Sequence, residues 1–202
     1  FAFHNFDVVA TAQYVQSLFN ESATIFQNED ISMALEQVFI WTETDPFVNL
    51  GTSAFLDSFG KSKQATGFPG NLAHAISLRV QGSGIAAAIN GICSDPFAFS
   101  GLFADLQGFP MYSWDLNVFT HEMGHVLGSF HTHGCYWNSE TYGVGTQIDD
   151  CASLRGNPEG AACFDPENPI IPVNGGTIMS YCHQVREIGM NFSLGFGEQP
   201  GD

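Results

Sequence analysis

His121-Glu122-Met123-Gly124-His125-Val126-Leu127-Gly128-Ser129-Phe130-His131 is the stretch on which the reading of this chain turns. Four residues make about one helical turn, so the imidazoles of His121 and His125 project from one face with Glu122 between them. Two such histidines can hold one Zn2+, and the intervening Glu can reach a water beside it. Gly128 carries no Cβ and lets the backbone turn sharply out of the helix, which can return His131 to the same ion as a third ligand. Five specified residues at fixed spacing restrict the pattern far more than the short His-Glu-x-x-His core does. The bland alternative is an amphipathic helix with surface histidines. Against it, the helix is otherwise built of Leu116, Val118, Phe119, Val126 and Leu127, a setting with little use for idle imidazoles.

Working outward, a helix is predicted from Ser113 to Leu127. Ser113 or Asp115 would cap its start, and Gly128 stands where a left-handed stop residue belongs. Upstream the chain reads as mixed α/β. Phe6, Val9, Ala10, Tyr14, Leu18 and Phe19 recur at helical spacing between Asn5 and Asn28, and a second helix fits Thr52 to Gln64. Strands are expected at Ile31–Thr44, Leu72–Val80, Gly84–Ile92 and Ala98–Leu106. Downstream of Gly128 the character changes. Residues 132–176 are rich in Gly, Asn, Pro and Asp and show no long periodic run, so an irregular region is expected there.

The 202 residues suffice for a sizeable core. Five Lys and Arg stand against 21 Asp and Glu, for a formal charge of −16, and such a surface repels nucleic acid and anionic membranes. Neither nucleic acid nor membrane is therefore expected as a partner. The longest apolar stretch, near Ile85–Ile92, is too short to span a bilayer. No basic segment leading into an apolar run opens the chain at Phe1, as expected of a mature form whose leader has been removed.

Four of the five cysteines, Cys135, Cys151, Cys163 and Cys182, fall in the irregular last third, which suits disulfides in an exported protein. Three pairings are open to them. The expectation leans to Cys151 with Cys163, which closes a short loop, and Cys135 with Cys182. Cys93 is left over, its partner expected beyond Asp202. Asp149-Asp150 gives only weak support for calcium, because acidic pairs in so acidic a chain are usually solvated.

About fifty residues after the first motif comes Gly175-Gly176-Thr177-Ile178-Met179-Ser180-Tyr181. The long histidine motif followed by a Met-turn resembles the metzincin clan of zinc metallopeptidases. The resemblance extends from roughly Ala23 to Phe196. The cysteines and the Met-turn are most similar to reprolysin-like (adamalysin-related) bacterial peptidases. Two positions depart from that group: Thr132 follows the third His where adamalysins usually have Asp, and Tyr181, two places after the Met, looks more like the astacins and serralysins. The family within the clan stays open on these residues.

The resemblance implies an α/β (α+β) fold with a twisted mixed sheet and long helices above a cleft, over an irregular, disulfide-tied lower lobe. The corresponding division is residues 1–128 above, with the active-site helix, and 129–202 below, with the third ligand and the Met-turn. It implies a secreted zinc endopeptidase acting on extended polypeptides, expected to be a monomer, with a propeptide as candidate inhibitor. His121, His125 and His131 would bind zinc, Glu122 would be the general base, and Met179 would form an apolar floor. Tyr181 would help stabilise the oxyanion. Substrate would pair with the lower edge strand of the sheet, expected at Ala98–Leu106. A non-catalytic binding or adhesion module on the same fold is the rival, and such a module would commonly have lost Glu122 or a ligand. His4, His74, His133 and His183 are not expected to bind the metal, and Thr177 and Ser180 are expected to serve the turn.

Overall fold

The computed structural model describes residues 1–139 and 143–197. Three helices and a small sheet form the first two thirds. Helix α1 (Val8–Asn28) begins at Asp7, whose carboxylate accepts the free N–H groups of Val9 and Ala10 at 2.8 and 3.0 Å. Its buried residues Thr11, Leu18, Ser22 and Ile25 fall along one stripe. Leu18, Ile25 and Phe26 join Leu116, Phe119 and Met123 in the main core. Helix α2 (Thr52–Thr66) packs Phe55, Leu56 and Phe59 against the sheet.

The sheet has the order β1 (Ala73–Ser77), β3 (Phe97–Gly101), β2 (Ser83–Ala86). Strands β1 and β3 run parallel, and β2 is antiparallel to β3. Every residue of β3 is buried. Phe97 and Phe99 meet α2 on one face, while Ser100 donates to the Val118 carbonyl of α3 on the other. The strand expected at Ala98–Leu106 is thus the central strand, and the antiparallel edge is β2. A run apolar on both faces belongs between two layers, and Phe97-Ala98-Phe99 is such a run.

The strand expected at Ile31–Thr44 does not form. Residues 32–44 join no ladder with any strand among the described residues. This segment is held by side chains: Trp41 meets Phe47 edge to face at 5.6 Å, and Lys63 of α2 lies over the Phe39 ring. Its alternating pattern gives it apolar anchors, but without a neighbouring strand there is no sheet for it to join.

Helix α3 (Trp114–Leu127) is buried almost throughout, from Asp115 to Val126. Its first turn is tied down by side chains: the Asp105 carboxylate accepts from the N–H groups of Trp114 and Asp115, and the Ser113 hydroxyl accepts from Leu116. Asp115 in turn accepts from the N–H groups of Phe103 and Ala104 and from the Tyr14 hydroxyl of α1. At the other end Gly128 adopts φ 119°, and its N–H bonds back to the carbonyls of Gly124 and His125. The N–H groups of Asn90 and Ile92, beyond β2, supply partners for the His125 and Val126 carbonyls. Both ends of the motif helix are therefore fixed by long-range bonds.

Below α3 the described chain is mostly irregular, as expected, with a short antiparallel pair of β4 (Trp137–Ser139) and β5 (Gly143–Thr146) and single 3-10 turns at Ser153–Arg155, Cys182–Gln184 and Phe192–Leu194. Two disulfides staple it, Cys135–Cys163 and Cys151–Cys182, and Cys93 is free and exposed. The pairing differs from the one favoured on loop length. Asp149 accepts from the Thr132 hydroxyl and the Cys151 N–H, and the Thr132 N–H bonds to the Met179 carbonyl. Those bonds carry Cys151 to Cys182 beside the Met-turn. No helix among the described residues is long and apolar enough to cross a membrane.

Candidate metal centre

Helix α3 presents His121 and His125 one turn apart, and the backbone released at Gly128 brings His131 back to them. The His131 Nε2 lies 3.1 Å from that of His121 and 3.0 Å from that of His125. The other nitrogen of each ring is occupied: His121 Nδ1 bonds to the Ile178 carbonyl at 2.8 Å, His125 Nδ1 to the Ser129 carbonyl at 2.7 Å, and His131 Nδ1 to Glu159 Oε2 at 2.8 Å. These partners only accept, so each Nδ1 carries the proton and each Nε2 lone pair points into the common space. Burial, joined at His121 and His125 by the mutual repulsion of the imidazoles, holds His121 well below its ordinary 6.5 and brings His125 and His131 down to about 4.

Three neutral lone pairs facing one another repel, and a cation between them removes the conflict. With Zn–N at about 2.0–2.1 Å, tetrahedral ligands sit about 3.3 Å apart, close to the observed spacing. Three imidazoles with hydrogen-bonded outer nitrogens are a donor set that suits Zn2+.

Glu122 lies on the same helix, 5% exposed, and burial raises it to about 8. Its carboxylate packs against the backbone of edge strand β2. A Cβ on Gly84 would overlap Glu122 Oε1 and come within 2.5 Å of Val118 Cγ2. Met179 is wholly buried beneath the helix. A Cβ on Gly124 would fall 3.0 Å from Met179 Sδ and 2.7 Å from Phe196 Cε1, so the glycine inside the motif is what lets the turn approach. The turn also holds the site through its main chain, by way of the Ile178 carbonyl on His121 and the Met179 carbonyl on Thr132. Thr177 donates to the Phe196 carbonyl and Ser180 accepts from the Cys182 N–H, so both serve the turn.

The Tyr181 ring joins the cluster, with centroids 4.9 Å from His131 and 6.1 Å from His121. Burial first, then the carboxylates of Glu122 and Glu159, push its phenol up to about 12, so it stays a hydrogen-bond donor. His133 stacks on the outer side of His131 and takes no part in the three-nitrogen cluster. His74 lies away on β1, bonded to Ser100 and stacked on Phe119. Asp150 accepts from the Ile170 N–H. The supporting roles of Gly84, Gly124 and Glu159 had no signal in the sequence, because each depends on a contact made across the fold.

A reprolysin family model, described as Metallo-peptidase family M12, matches residues 1–193. A comparison with curated proteins gives no match.

Proposed function

The chain belongs to metallopeptidase family M12, and from that premise we propose how its residues divide the work of peptide hydrolysis. The molecule is a zinc-dependent endopeptidase with a metzincin-like fold. The observation that carries this is the convergence of the Nε2 atoms of His121, His125 and His131, all from the one motif that also carries the buried Glu122. His121, His125 and His131 hold the ion. When bound, zinc supplies Lewis acidity, polarising a carbonyl and making water acidic near pH 7.

Glu122 takes the proton from the attacking water and delivers it to the leaving amine. Its buried setting makes it a stronger base than an exposed carboxylate and suits it to both transfers near neutrality. Tyr181 donates its phenolic hydrogen to the oxygen that gains charge as the carbonyl is attacked. Met179 carries no charge to the reaction and serves as the floor on which α3 rests.

Extended polypeptide substrate pairs with β2, the antiparallel edge, whose Gly84 adjoins Glu122. Main-chain bonds then give affinity and side-chain pockets give selectivity. We take residues 1–128 as the upper wall of this cleft and residues 129–202 as the lower, of which 140–142 and 198–202 lie outside the described residues. The two disulfides support a secreted enzyme, since such bonds persist in oxidising surroundings. We take it to act as a monomer, with neither nucleic acid nor membrane as a partner.

The test is Glu122→Ala. Hydrolysis of a quenched-fluorescence peptide should be lost while one zinc per chain is retained. Near wild-type turnover in the zinc-loaded variant would refute the assignment.

A further inference from the structure

Of the three ligands, only His131 lacks a main-chain acceptor for its outer nitrogen. His121 and His125 are fixed by the helix and by carbonyls of neighbouring turns. His131 stands on irregular backbone after the helix has ended, and its Nδ1–H donates to a side chain 28 residues away, Glu159 Oε2, at 2.8 Å. We propose that Glu159 is a positioning residue for the third ligand, held in place by the Cys135–Cys163 disulfide. The inference rests on His131 being a ligand.

Several features aim this carboxylate. The disulfide ties the segment after His131 to the loop that carries Glu159. That loop lies flush on the ligand's own segment, because a Cβ on Gly160 would overlap the His133 carbonyl oxygen. Asn157 Oδ1 accepts the Glu159 N–H at 2.9 Å. The same Oε2 lies 3.4 Å from Nε2 of His133, a ring that is wholly buried and whose nitrogens make no hydrogen bond among the described residues. His133 stacks on His131 with centroids 4.8 Å apart and planes 15° from parallel. One carboxylate oxygen thus faces two imidazoles that back each other.

The consequence follows from the tautomer. A carboxylate at Nδ1 keeps the proton there and leaves Nε2 as a lone pair facing the other two ligands. Without it, His131 could carry its proton on Nε2, inside the cluster, or turn its ring away. Either loses metal affinity before any peptide is bound. Outer partners of this kind are typically worth about 10–100-fold in metal affinity.

Competition between the metal-free protein and a chromophoric chelator for zinc alone measures this. Glu159→Ala should bind zinc about 10–100-fold more weakly than wild type. Glu159→Gln, which keeps the shape and one acceptor, should recover part of that loss. His131→Ala separates the two levels: wild-type zinc affinity in that variant would overturn the ligand assignment itself. If His131→Ala loses zinc while Glu159→Ala and Glu159→Gln both bind it as wild type does, the positioning role is overturned. That result with a lowered melting temperature of metal-free Glu159→Ala would make Glu159 a loop-packing residue.

Discussion

Replacing Gly124 by Ala sets two effects of known sign against each other. In a helix interior Ala is favoured over Gly by about 1 kcal/mol. Here the added methyl would meet Phe196 Cε1 at 2.7 Å and Met179 Sδ at 3.0 Å, where carbon contacts normally lie at about 3.5–4.0 Å. Neither neighbour can retreat freely. Phe196 is buried against Phe26, and Met179 is wholly buried in a turn whose carbonyls hold His121 and Thr132. Overpacking a core by a methyl costs about 1–3 kcal/mol. The balance is a net loss of about 1 kcal/mol, with 2 as the upper end, or roughly 2–4 °C in melting temperature per kcal/mol for a domain of this size. Thermal unfolding of the metal-free proteins measures it, and zinc affinity should fall as well, since the displaced turn carries the partner of His121. A variant that melts higher than wild type and keeps its zinc affinity would refute close packing of the Met-turn under α3.

Two further expectations can be checked directly. Tyr181→Phe removes only a hydroxyl and should lower turnover by about 10²–10³ with zinc content unchanged; full activity would reduce Tyr181 to packing. His74 has Nδ1 buried without a partner among the described residues, and burial lowers its basicity to about 3 from the ordinary 6.5. The unfolded chain therefore binds its proton first, so stability is full above about pH 6.5 and is lost as pH falls toward 3, by about 2 kcal/mol between pH 7 and pH 5. His74→Gln should remove that part of the slope in urea unfolding at the two pH values, and identical slopes would refute the assignment.

How far the fold was legible depended on whether a feature was local. Helix α3 and the three converging imidazoles were readable because cap, periodicity, Gly128 and ligand spacing all lie within residues 113–131. Helices α1 and α2 were readable from the same period. The segment Ile31–Thr44 misled because alternation reports which faces are apolar and says nothing about whether a partner strand exists. The edge of the sheet, expected at Ala98–Leu106 on the family resemblance, lies instead at β2, because Phe97-Ala98-Phe99 is apolar on both faces and takes the central place in the order β1-β3-β2. Disulfide pairing was beyond local reasoning. It is decided by the bonds from Asp149 to Thr132 and Cys151, across 17 residues in one case, and not by the shortest loop. Gly84 and Gly124 look like ordinary glycines until the groups that would collide with their Cβ atoms are brought alongside.

The central claim is that one zinc, held by His121, His125 and His131, makes this chain a peptidase. The most direct measurement is a titration of metal-stripped protein with zinc while hydrolysis of a quenched-fluorescence peptide is followed. Activity should be near zero in the stripped protein and rise linearly to a plateau at one zinc per chain. Full activity without metal, or a zinc-loaded protein that cleaves no peptide at any ratio, would contradict the claim.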